Sequence, residues 1–485
     1  MLFNSLDFAV FFPLVFILYW FVVQRNLKLQ NLFVLASSFV FYGWWDWRFL
    51  ALLFSGCLVN YIVGRLLSAR NDKPVRRLLL WTAVVYNIGL LVVFKYLNFF
   101  IGSFVSAFTF FGLNLSGSSL NIVLPVGISF FTFQALGYVL EVYRRNADAE
   151  RNFISFSAFV SFFPLILAGP IERATHLLPQ FSKKRTFDYT KATDGLRQIL
   201  WGLFKKIVIA DNCAIFANAT FDDPSGYSGS TLVLGALFYT IQIYSDFSGY
   251  SDIAIGVSKL MGFDIIRNFN NPYLSLNVAD FWRRWHISLS SWLRDYLFTP
   301  MSIKLRSLGV TGIIISLFVT FILCGLWHGA NYTFIVWGGL HGLALVWDVI
   351  STRTRKKIRK QTNSTLYNSI SWFFTFSFIV FTWIFFRAEN FIQANNFIYE
   401  IFSGSFFSIP YIIEPSTGRT ILPKTIYFLI LLFLFFELYG RNQEFSFAQI
   451  GKNWKRPLRF ALYYSIIIAI YWFSGPGQQF IYAQF

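Results

Sequence analysis

Charge is scarce in this sequence: only 13% of its 485 residues are Asp, Glu, Lys or Arg. Hydrophobic residues make up 56%, aromatics 21%, and there are 62 phenylalanines. Long apolar stretches recur from end to end, which leaves no room for a soluble domain and predicts a polytopic helical membrane protein. Cysteine is nearly absent. Cys57, Cys213 and Cys324 are scattered, so no disulfide framework is implied and each reads as a buried thiol. Cys324, four residues before His328, is the one placed to act as a nucleophile. No HxxxH, His–carboxylate cluster or CxxC is present, which argues against a metal site. No Gly-x-Ser-x-Gly elbow is present either, which argues against an acyl-serine on this chain.

The net charge of +18 suggests nucleic acid until its distribution is considered. Much of it sits in short loops between apolar runs, as cytoplasmic loops of membrane proteins require. Nucleic-acid binding is therefore rejected. Residues 1–7 carry no positive charge, whereas Arg25 and Lys28 follow the first apolar run. That polarity opposes a cleaved signal peptide and puts the N-terminus outside.

Three of the four histidines fall between Phe281 and His341. In FWRRWHISLSSWLRDYLF, Trp282, His286, Leu289, Leu293 and Leu297 share one face if the stretch is a single helix. Arginines lie opposite, so the stretch reads as an amphipathic helix at a membrane surface with His286 turned inward. His328 closes the next apolar run in CGLWHGAN, flanked by Gly325, Gly329 and Asn331. An imidazole suits proton transfer near neutral pH, and two inward histidines suggest a base and an orienting partner. The bland alternative is a buried histidine bonded to a carbonyl.

Further runs set the expected topology. Pro125, Gly127 and Gly137 are expected to break or kink a helix over 121–143. FFPLILAGPIER ends a re-entrant segment over 152–170, and His176 just beyond it reads as solvated. A span near 194–217 carries Lys205, Lys206 and Asp211, which must snorkel or face protein. In YSDFSGYSDIAIG, Asp246 and Asp252 either pair with nearby arginines or line a substrate path. Segments 309–327 and 331–350 form a hairpin whose turn carries WHGAN. Arg353 to Lys360 marks the cytoplasm, while NLSGSSLN and the tail SGPGQQFIYAQF lie outside. The sum is roughly twelve crossings, with both ends extracytoplasmic.

Taken together, FWRRWHISLSSWLRDY, LWHGANYTFIVWGGLHG and SDFSGYSDIAIG resemble the membrane-bound O-acyltransferase family. MLFNSLDFAVFFPLVFILYW, LPVGISFFTFQ, FPLILAGPIER and FIYAQF resemble its alginate O-acetyltransferase branch. The likeness covers nearly the whole chain, so one domain over 1–485 is expected, with a catalytic core over 121–350. It implies helices around a central tunnel, with an acyl thioester (acetyl-CoA or an acyl carrier) entering from the cytoplasm as substrate and no bound cofactor. By motif His328 and His286 are the catalytic pair. His341, Asp246, Asp252, Trp285, Trp327 and Asn331 are candidates to line the tunnel or substrate path. Arg283, Arg284 and Arg294 are candidates to meet donor phosphates, or anionic headgroups. The branch also implies an exported partner with an SGNH or serine-hydrolase-like fold and a polysaccharide acceptor. One departure is TPMSIKLRSLG, which stands where that branch has a glycine-rich loop with an arginine; it bears on donor or partner docking. D-alanyl transfer to teichoic acid is the rival chemistry, and transport of lipid-linked sugars the rival class.

Overall fold

A computed structural model describes residues 1–111, 122–413, 420–421, 424–475, 477–478 and 480–481. The loop NLSGSSLN and the last four residues of the tail lie outside them. The described chain is almost entirely helical; its strand content is a two-residue antiparallel ladder pairing Ile412 with Ile421. Among the described residues five helices are long and apolar enough to cross a membrane: Trp47–Ala69, Lys73–Phe110, Val310–His328, Tyr332–Ile350 and Ser364–Arg387. Leu6–Val22 is apolar but shorter.

Two compact units make up the chain, the first comprising Met1–Leu196 with Ala254–Ile266. Its core is helix Ile128–Arg144, buried along most of its length. Gly127 adopts φ +78° just before that helix, so the glycine starts it and does not break it. Gly137 lies inside the uninterrupted helix, contrary to the break expected there. The expected re-entrant segment is a short helix, Phe153–Val160, followed by buried turns. Eight residues rise about 12 Å, well short of a bilayer. His176 is exposed, as expected, and it also has a partner. Its Nδ1 lies 2.8 Å from Glu172, whose other oxygen accepts the Ile266 N–H at 2.6 Å. The carboxylate raises the imidazole's pKa above its ordinary value.

The second unit comprises Arg197–Ile253 and Arg267–Phe485. Lys205 and Lys206 fall in a widened helical turn, Phe204–Ala210, and are buried, not snorkelled. Lys205 Nζ pairs with Asp252 at 2.6 Å and donates to Ser248 at 3.0 Å. Lys206 Nζ bridges Asp246 at 2.8 Å and Asp211 at 2.9 Å. The acids of SDFSGYSD thus pair with lysines of a neighbouring helix, not with arginines. Asp246 also accepts the Ile481 N–H at 2.8 Å, which ties that residue into the core.

The hairpin of this unit follows the expected pattern. Helices Val310–His328 and Tyr332–Ile350 pack tightly, because a Cβ at Gly325 would collide with the Phe334 carbonyl oxygen. Asn331 caps the second helix by accepting the Thr333 N–H at 3.1 Å, and its amide donates to the Glu389 carbonyl. Asn331 thereby serves as the N-cap of that helix.

Candidate active site

The FWRRWHISLSSWLRDYLF stretch is not one helix. Val278–Arg284 ends at Trp285, and Ile287–Leu293 begins anew after His286. His286 itself stands in the left-handed region at φ +43°. The break is imposed from a distance: Asn270 N–H donates to the Arg284 carbonyl and Ile287 N–H to the Asn268 carbonyl, each at 2.9 Å. Helical periodicity predicts a shared face but carries no information about a strand-like segment pairing across it. A side chain with a Cβ is strained in that region, and such strain collects at functional positions.

Asn268 also holds the ring. Its Oδ1 faces His286 Nδ1 at 3.2 Å and accepts from Ser288 Oγ at 2.9 Å and from Ser288 N–H at 3.3 Å. The backbone N–H identifies that atom as the oxygen, and Nδ2 donates to Ser251 Oγ at 3.1 Å. The Ser288 hydroxyl spends its proton on the same oxygen, so His286 Nδ1 carries a proton and Nε2 is the basic nitrogen. His286 is fully buried, and burial holds its imidazole below the ordinary pKa, hence neutral.

His328 ends helix Val310–His328, buried among the rings of Trp327 at 4.9 Å, Trp337 at 5.0 Å and Phe386 at 5.2 Å. The Trp327 ring also meets His286 at 6.1 Å. One indole therefore touches both imidazoles. Trp337 touches His341 in turn, at 4.8 Å. His341 accepts from Trp282 Nε1 at 3.1 Å, and its Nε2 lies 3.2 Å from Thr382 Oγ1. Thr382 donates its own proton to the Ile379 carbonyl, so His341 Nε2 is the donor to Thr382. Both nitrogens of His341 are thus engaged by side chains. Trp285 is buried against Phe269 at 5.1 Å and Trp383 at 5.1 Å, beside the His286 turn. Cys324 is buried and free.

The arginines divide. Arg284 is held by Asp280 at 3.1 Å. Arg283 and Arg294 are largely exposed, Arg294 paired with Asp295 at 2.8 Å, and both line one cavity of about 480 Å³ with Trp282, Ser291 and Thr320. Arg283 also lines an adjoining cavity of about 540 Å³ with Arg355, Lys356 and Arg359. Sequence reasoning missed these last three as site residues, because a basic loop reads first as a topology marker. It missed Asn268 as well, although the amide-rich NFNNP offered a signal.

A family model, "MBOAT, membrane-bound O-acyltransferase family", matches residues 94–388. The chain is 37% identical to the probable alginate O-acetylase AlgI of Pseudomonas putida, over 100% of both chains. It is 36% identical to a peptidoglycan O-acetyltransferase of Helicobacter pylori, over 81% of this chain and 78% of the relative. A teichoic acid D-alanyltransferase of Bacillus subtilis is 29% identical over 56% of this chain and 70% of its own. The chain belongs to the membrane-bound O-acyltransferase family, in its alginate O-acetylase-like branch, and is an acyltransferase.

Proposed function

We propose that this protein takes an acetyl group from a cytoplasmic thioester, acetyl-CoA or an acyl carrier, and passes it across the membrane for O-acetylation of a surface polysaccharide. The observation that carries the reading is the Trp327 indole seated against both His286 and His328 in a buried, aromatic-walled site. An exported SGNH or serine-hydrolase-like partner completes delivery. The relatives at 37% and 36% identity carry different polymers in their names, alginate and peptidoglycan, so this kind of membrane chain is not tied to one acceptor.

Acyl transfer forms a new C–O bond and breaks the C–S bond, while the attacking hydroxyl loses its proton and the thiolate leaves. His328 is the base that takes that proton. His286, with Nε2 basic, accepts from a second donor beside the attacking hydroxyl, whose own proton goes to His328, and so orients the acceptor. That tautomer leaves no N–H at Nε2 to polarise the thioester carbonyl, so orientation is its role. Arg283, Arg294, Arg355, Lys356 and Arg359 receive the phosphates of the donor in the paired cavities. The enzyme sits in the bacterial cytoplasmic membrane with about twelve crossings around a tunnel, both termini outside.

Mass analysis of surface polysaccharide from cells with and without the protein tests this. Loss of O-acetyl esters from one glycan is the expected result. Loss of D-alanyl or another acyl ester would keep the transferase and replace the donor, and an unchanged surface would overturn the reading.

A further inference from the structure

The first unit holds a cavity that the acyl-transfer reading does not use. It measures about 290 Å³, and its walls include Lys183, Lys184, Arg185, Lys191 and Lys259. Three carboxylates answer these five cations. Asp264 pairs with Lys191 at 3.1 Å and Asp194 with Lys259 at 2.8 Å, while Asp188 accepts the N–H groups of Thr190 and Lys191 as a helix cap. Lys183 and Lys184 form no ion pair among the described residues. Arg185 is buried, and neutral acceptors hold it: Gln30 at 3.1 Å, Asn31 at 2.6 Å and the Gln180 carbonyl at 3.2 Å. Its guanidinium lies over the ring of Phe263 at 4.8 Å, which fixes it without neutralising it. The wall is built as well as charged, since the Gln180 side chain bonds both the N–H and the carbonyl of Asp264, at 2.8 and 2.9 Å.

We propose that this cavity binds the phosphate headgroup of an anionic lipid. Its excess of positive charge, with a buried guanidinium in the wall, selects a phosphate ester. Trp20 lines the cavity and donates from Nε1 to the Leu260 carbonyl at 2.9 Å. It stands at the end of the apolar stretch Leu6–Val22, where Leu18, Phe21 and Val22 are exposed. Phe187, half exposed, packs on Trp20 at 5.5 Å. Aromatic side chains at the end of an apolar helix mark the membrane interface. Acyl chains can thus follow the exposed apolar helix while the headgroup occupies the basic cavity.

Native mass spectrometry of the detergent-purified full chain, titrated with phosphatidylglycerol, phosphatidylcholine or adenosine 3′,5′-bisphosphate, tests the site. Phosphatidylglycerol should bind more tightly than phosphatidylcholine. The Lys183→Gln/Lys184→Gln pair should weaken it roughly thirtyfold, the weight of two basic side chains beside a headgroup, while Lys183→Arg/Lys184→Arg retains it. Equal binding to the glutamine pair and the wild type would overturn the site. Displacement of the lipid by the bisphosphate would assign the cavity to a soluble phosphate ester and overturn the lipid as occupant.

Discussion

Asn268 presents an acceptor oxygen to His286, and through it determines which imidazole nitrogen is basic. On the proposed mechanism, Asn268→Ala frees the ring to rotate and change tautomer, so transfer should fall about a hundredfold. Asn268→Asp keeps the acceptor but sets a carboxylate against the imidazole. The negative charge favours imidazolium and raises the pKa, so the neutral ring prevails only at higher pH. The acid limb of the rate profile should therefore move upward in Asn268→Asp. Transfer rates across pH for both variants check this; an alanine variant with wild-type rate and profile would remove Asn268 from the mechanism. The sequence made His286 legible as an inward histidine but not its partner, eighteen residues earlier. Asp246 and Asp252 show the same limit. Their need for cations was legible, yet the lysines that answer them lie 40 and 47 residues earlier, and only packing brings them together.

Among the elements, the turn at His286 and the 310–350 hairpin contrast. The hairpin was legible almost to the residue. Two apolar runs flank a glycine-bearing polar turn, and local hydrophobicity and capping suffice to define it. The His286 break was not legible, because the 268–270 segment makes it through backbone hydrogen bonds that leave no side-chain pattern. At φ +43° a glycine is more comfortable than any residue with a Cβ. Replacing His286 by Gly or by Ala removes the imidazole equally. The glycine variant should nevertheless be more stable than the alanine variant by about 1 kcal/mol, with transfer lost in both. Thermal melting of the two purified variants measures this. An alanine variant as stable as the glycine one would mean that the left-handed turn carries no strain.

Over the whole molecule, sparse charge and repeated apolar runs made the helical membrane class plain, and the five membrane-length helices agree with it. Among the described residues five helices, against the roughly twelve crossings expected, meet simple length and apolarity rules. The turn with Lys205 and Lys206 falls outside those rules, since it carries charges that are answered within the protein. The basic loops predict that the chain's end is extracytoplasmic, so a reporter active only in the cytoplasm should be silent when fused at Phe485. Activity there would reverse the topology. The central claim is that His328 removes the proton in acyl transfer. O-acetyl content of surface polysaccharide should be measured in cells lacking the protein and supplied with wild type or His328→Ala at equal membrane levels. The account predicts that wild type restores the ester and His328→Ala does not; full restoration by His328→Ala would contradict it.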